Sequence, residues 1–151
     1  MAKKATGINK SEEVRQLMKA NPAMSVKEIE AAVNELGSAF NKMDVKAVAN
    51  LLSENLEVFD HVPYRFDNKK QFVDFLIPAF LGLGSASFGF RQLSCRMINE
   101  GAGVANAYDT FMGVTKDGKP MTLHGRTTLV FAKEAGQWKI VSAHFSPLPK
   151  E

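Results

Sequence analysis

Four long segments in the C-terminal half, Ser87 to Asn99, Gly103 to Thr115, Met121 to Lys133 and Gln137 to Pro147, follow one another with only short turns between them. The turns are Glu100-Gly101, Lys116-Asp117-Gly118-Lys119 and Glu134-Ala135-Gly136. Long strands joined by short Gly-containing turns pair with their neighbours, so this half predicts an antiparallel meander. Helical periodicity precedes it, and helices first with strands after predict an α+β fold.

In a strand, successive side chains point to opposite faces. Ala105, Ala107, Asp109 and Phe111 therefore share one face, against Asn106, Tyr108, Thr110 and Met112. Leu123, Gly125, Thr127, Leu129 and Phe131 oppose His124, Arg126, Thr128 and Val130. In the last strand Val141, Ala143 and Phe145 oppose Trp138, Ile140, Ser142 and His144. Neither face is cleanly polar, as a sheet with one face in water would be. We expect the first set to face the helices and the second to be covered by another subunit.

Upstream, Ser11 to Ala20 predicts a short helix with Val14, Leu17 and Met18 on one side, stopped by Asn21 and Pro22. Ser25 and Glu28 have the spacing of a capping box, ahead of a stripe of Ile29, Val33, Leu36, Phe40 and Met43. Asp44 is placed to cap a second helix that turns Val48, Leu51 and Leu52 inward. Leu56 to Val62 predicts a strand ended by Pro63, with Tyr64 to Phe66 as a short return. Asp67 or Asn68 should cap a third helix bearing Phe72, Phe75, Leu76, Ala79 and Phe80, kinked or cut short by Pro78. The expected division is a tail with a short helix over 1–24 and one domain over 25–151.

Composition narrows the function classes. The 151 residues suit a single domain, and 11 Phe against one Trp and two Tyr supply large apolar area without buried hydroxyls. The formal charge of +3 owes much to Lys3, Lys4 and Lys10, and no basic run interleaved with aromatics suggests nucleic-acid binding. No apolar run reaches the ~20 residues of a membrane span, and no secretory pattern opens the chain, so a soluble cytoplasmic protein is expected. The single cysteine, Cys95, lies in an apolar alternation that fits an inert buried thiol. His61, His124 and His144 lack metal-ligand spacing, and neither a metal nor a cofactor is expected.

The ending HGRTTLVFAKEAGQWKIVSAHFSPLP, His124 to Pro149, resembles the last two strands of SnoaL-like, NTF2-like domains. Asn106 to Ser146 is also similar to the association domain of calcium/calmodulin-dependent kinase. MDVKAVANLLSENLEVFDHVP, Met43 to Pro63, resembles the helix-strand unit of ketosteroid isomerases. The resemblance spans about residues 25 to 147. It implies a cone in which a strongly curved antiparallel sheet wraps a long helix and leaves a cavity at its open end. It also implies a homodimer through the outer sheet face.

Asp60 alternates with Leu56, Val58 and Val62, and by the resemblance it falls where the isomerases place their general base. A carboxylate desolvated in an apolar pocket has a raised pKa, which suits that work. The plain alternative is a strand-end carboxylate bonded to local backbone donors. The isomerase's oxyanion donors fall on Leu36 and Thr127, so that part of its machinery does not carry over. The basic pocket residues of the kinase-type domain fall on Asp109, Leu129 and Phe145, which points away from an anionic ligand. The expected pocket takes Leu36 and Phe40 from the helix, Asp109, Phe111, Thr127, Leu129 and Phe145 from the sheet, and Tyr64 at the mouth. Asp109 could instead form a buried pair with Arg91 or Arg96. Tyr108, His124, Arg126, Trp138 and His144 are assigned to a dimer interface. Three functions stay open: a homodimeric pocket for a small, mostly apolar, neutral or cationic molecule; an isomerase, cyclase or dehydratase using Asp60 as base; and an assembly module with an incidental cavity.

Overall fold

The computed structural model describes residues 9–13 and 22–151. Of the expected first helix only a turn over 10–13 is described, opened by Asn9, whose side chain accepts from the Ser11 N–H at 3.3 Å; the rest lies outside the described residues. Helix α1 spans Pro22–Asn41 and α2 spans Val45–Asn50. Strands β1 (Leu52–Phe59) and β2 (Arg65–Phe66) precede α3 (Lys69–Leu81), and β3 (Leu83–Asn99), β4 (Ala102–Thr115), β5 (Pro120–Glu134) and β6 (Gln137–Pro147) complete the chain. All six strands form one curved, unclosed sheet in the order β2-β1-β6-β5-β4-β3, with the helices against one face. This is the expected α+β cone.

The start of α1 differs from expectation. Pro22 occupies the first position of α1, where a missing N–H removes no helical bond and the fixed φ suits the turn; the expected stop of a preceding helix lies outside the described residues. The helix thus begins before Ser25, which is buried inside it rather than capping it, and Glu28 accepts instead from Trp138 Nε1 at 2.6 Å. The apolar stripe is as expected from Ile29 to Phe40: Ile29, Val33 and Leu36 are at most 1% exposed, and each such side chain removed from water stabilises by about 1.5–3 kcal/mol before entropic costs. Met43 lies past the end of α1 at φ 54° and does not continue the stripe. Helix and sheet meet closely at Gly103, where an added Cβ would lie 2.3 Å from Ile29 Cδ1. Asp44 caps α2 by accepting from the Ala47 N–H, and Asn68 rather than Asp67 caps α3 through Gln71. Pro78 lies inside α3, which runs three residues beyond it before the Gly82 N–H closes onto the Pro78 carbonyl.

The four long strands pair antiparallel as expected, whereas β1 joins β6 in parallel, Leu52 opposite Ile140 and Phe59 opposite His144. Bulges bend the sheet. In β3 the register shifts between Arg91 and Ser94, where Gln92 takes φ 52°.

Another shift falls in β6. Phe131 pairs with Ile140 but Val130 pairs with Ser142, so Val141 is extra. The inward set of β6 is consequently Trp138, Ile140, Ala143 and Phe145, all buried. The unbroken alternation expected for this strand, with Trp138 and Ile140 outward, is wrong by that one residue. Trp138 is accordingly part of the core and not of an outer interface. Its ring carries the Lys133 ammonium 5.5 Å from the centroid.

Candidate functional site

At the open end of the cone, α1, α3 and the curved sheet leave a cavity of about 300 Å³. Its wall is mostly hydrocarbon. Phe40 comes from α1; Phe75, Leu76, Ala79 and Phe80 from α3; Leu83 and Phe88 from β3; Phe111 from β4; Met121 and Leu123 from β5; Phe145 from β6. Six of the chain's 11 phenylalanines thus line one space, which accounts in part for the predominance of phenylalanine among its aromatic residues. Phe40 is the centre of the aromatic wall, with ring centroids 5.1 Å from Phe88, 6.1 Å from Phe80 and 6.3 Å from Phe145.

Three side chains break the hydrocarbon: Asp60, His61 and Asp109. Asp60 follows directly on β1, where the ladder ends, and its Oδ1 accepts from the His61 N–H at 2.7 Å. It therefore makes the local backbone bond of the plain alternative and also faces the cavity. Burial lifts its pKa above the ordinary carboxylate value; the His61 bond and the His61 imidazole oppose that rise, and the Asp109 charge adds to it. Asp109, in the middle of β4, is 5% exposed, and its Oδ2 accepts from Thr127 Oγ1 at 2.5 Å. Gly125 stands opposite it on β5, and the carboxylate lies over the space a side chain there would fill.

Asp109 does not pair with Arg91 or Arg96. It points to the cavity, whereas Arg91 stands opposite Tyr108 in the ladder and so belongs to the other face. Neither Asp60 nor Asp109 forms an ion pair with a described residue.

Phe40, Asp60, Asp109, Phe111 and Phe145 come together at the cavity, as the alternation suggested. Leu36, Thr127 and Leu129 have the expected orientation but do not line it. They are buried at 1%, 3% and 1% exposure, and the Thr127 hydroxyl is committed to Asp109. Tyr64 is not at the mouth. It is half exposed, stacks edge-on against Phe66 at 5.3 Å and borders a shallow groove with Arg65, Gln71 and Asp74. Tyr108, His124, Arg126 and His144 are exposed on the outer face, where His124 Nδ1 lies 3.2 Å from Thr110 Oγ1 and the His144 ring 5.6 Å from Phe59.

Sequence reasoning missed His61, the contribution of α3, and Leu83, Phe88, Met121 and Leu123 from the sheet. The α3 stripe carried a signal, since Phe75, Leu76, Ala79 and Phe80 share a face at helical spacing; His61 had none beyond adjacency to Asp60. Cys95 is half-buried, and burial followed by the charge of Glu30 pushes its thiol up to about 11, so it is a poor nucleophile at neutral pH. Among the described residues no three His, Cys, Asp or Glu side chains gather in a way that could hold a metal ion, and no helix is long and apolar enough to cross a membrane.

The family described as SnoaL-like domain matches residues 29–150. No curated protein matches the chain. Among solved structures, a nuclear transport factor 2-like superfamily protein from Salmonella enterica is similar at a TM-score of 0.76 and 19% identity, covering 86% of this chain and 95% of that one. A ketosteroid isomerase-like protein from Erwinia carotovora atroseptica gives a TM-score of 0.71 at 16% identity, covering 83% and 97%. A candidate scytalone dehydratase from Novosphingobium aromaticivorans gives 0.78 at 13% identity, covering 84% and 86%. At these identities the likeness is one of fold.

Proposed function

The chain belongs to the SnoaL-like domain family, and on that premise we propose that its cavity takes a small, mostly apolar molecule and moves a proton on it through Asp60. One observation carries the reading: two carboxyl groups, Asp60 and Asp109, converge on a single space otherwise walled by hydrocarbon. An incidental packing void has no need of them, because an uncompensated carboxylate in apolar surroundings is costly. Desolvation lifts the Asp60 pKa toward the range in which a carboxyl group can both accept and donate a proton. Isomerisation and elimination of water both need such a group. Once protonated, Asp60 is itself placed to return the proton. The similar folds include a ketosteroid isomerase-like protein and a candidate dehydratase, which agrees with this class of chemistry without specifying it.

Binding without turnover is the second reading, and one feature favours it. Apart from these three side chains the wall offers no polar side-chain group, and Thr127 already donates to Asp109. A developing oxyanion would therefore lack the fixed neutral donors that supply the larger part of such catalysis.

The test is a thermal-shift screen of small apolar ketones, alcohols and amines. Compounds that raise Tm are then incubated in D₂O, and deuterium entry at carbon is followed by NMR. Proton transfer predicts exchange that Asp60→Asn slows by about 10²–10⁴-fold, the usual worth of a general base. Exchange that survives this change removes Asp60 from the role. Shifts without exchange select the binding reading. Ala79→Trp, which would fill the mouth from an exposed position on α3, should abolish the shifts. The reading includes a homodimer through the outer face around Tyr108, His124, Arg126 and His144. Light scattering that gives a monomer mass at micromolar concentration rejects that part.

A further inference from the structure

We infer that the cavity's ligand is a small organic cation, a protonated or quaternary amine whose nitrogen lies among the phenylalanine rings facing Asp60 and Asp109. This deepens the proposed function and rests on its premise that the cavity is a ligand site.

The charges on the cavity wall are all acidic or titratable, with no fixed cation among them. The loop after β1 brings Asp60 and His61, and β4 brings Asp109. Everything contributed by α1, α3, β3, β5 and β6 is uncharged. No described lysine or arginine lines the space or pairs with either carboxyl. Asp109 keeps one oxygen, Oδ1, beyond the one that accepts from Thr127. An anion would meet two carboxyls and no fixed positive group. A neutral molecule would leave at least one carboxylate uncompensated in hydrocarbon, unless the site holds on to protons. A cation supplies the missing charge directly.

The aromatic wall recognises the same chemistry. A phenyl face carries negative quadrupolar potential and attracts an ammonium within about 6 Å, more strongly where water is excluded. Phe40 and its neighbours Phe80, Phe88 and Phe145 place several rings around one point. The Asp60 carboxyl, made harder to ionise by burial and by Asp109, is relieved by a cation, which should displace any proton it holds. Binding therefore tightens as pH rises through its folded-state pKa.

Four matched probes decide it on the full chain by calorimetry: 2-phenylethylamine, phenyltrimethylammonium, 2-phenylethanol and phenylacetate. The two cations should bind at least about tenfold more tightly than the alcohol at pH 8. That margin should shrink toward pH 4.5, and phenylacetate should not bind. Asp60→Asn, and separately Asp109→Asn, should lower cation affinity toward that of the alcohol. Alcohol binding equal to or tighter than that of the amines overturns the cation inference and leaves the cavity reading standing. If none of the four binds the native chain, both fall. A cation preference that survives both substitutions places the recognition outside this cavity and also overturns the inference.

Discussion

Gly125 should be irreplaceable by alanine because Asp109 occupies the space its side chain would need. The two residues are directly opposite in the β4–β5 ladder. A Cβ at position 125 would lie 2.7 Å from Asp109 Oδ1, 3.0 Å from Oδ2 and 3.0 Å from the Ser146 carbonyl oxygen. Ordinary contact begins at about 3.5 Å. The carbonyl is held in the β5–β6 ladder, where Ser146 pairs with Arg126. The carboxylate is held by Thr127. Something must therefore yield by about 0.5–0.8 Å, and overpacking of this kind costs about 1–3 kcal/mol. For a domain of this size each kcal/mol shifts Tm by about 2–4 °C, so Gly125→Ala should melt about 2–12 °C below the native chain in a circular-dichroism scan. Asp109→Ala removes the principal obstacle. In that background Gly125→Ala should cost less by about 1 kcal/mol or more, a coupling that a double-mutant cycle resolves. A Tm change under 1 °C, or an equal cost in both backgrounds, would refute the idea that the glycine exists to seat the carboxylate.

Two further outcomes follow from the polar groups. The folded-state pKa of Asp60 is raised above its unfolded value, so its ionised form opposes folding; that penalty is absent below the unfolded pKa of 3.8 and grows as pH rises through the folded one. Asp60→Asn should therefore raise Tm at pH 7, with the gain narrowing toward pH 4, and a variant less stable than the native chain at neutral pH contradicts the desolvation argument. Trp138→Phe keeps most of the buried ring but leaves Glu28 without the indole donor, a loss of about 1–3 kcal/mol in urea titration; no measurable change would mean that water replaces the bond without cost.

The faces of the long strands were legible because their side chains alternate strictly, and Asp109, Phe111, Leu129 and Phe145 do look toward the helices. Depth along the cone was not legible. Period two separates inside from outside but does not distinguish Phe145, which reaches the cavity, from Leu129, which is sealed beneath it. A bulge is likewise invisible to alternation, since one added residue at Val141 inverts the strand before it, and so Trp138 was assigned to the wrong face. The start of α1 was misread because Pro can begin a helix as readily as it ends one, and Ser25 and Glu28 have capping-box spacing without being at a terminus. Tyr64 was misplaced because the bend after Pro63 directs it toward α3, a choice that no local pattern encodes.

The parallel seam between β1 and β6 has a consequence for how the chain reaches its fold. Asp60 sits at the end of a strand whose long partner is β6, the strand of this sheet farthest from it along the chain. The loop to be closed spans most of the molecule, and contacts so distant in sequence form late. Until β6 arrives, β1 has only the two-residue β2 to pair with, and its other edge is open to foreign strands. The Asp60 carboxyl should thus be among the last groups to reach its place in the cavity wall, and deletion of β6 should remove it from there even though residue 60 itself is untouched.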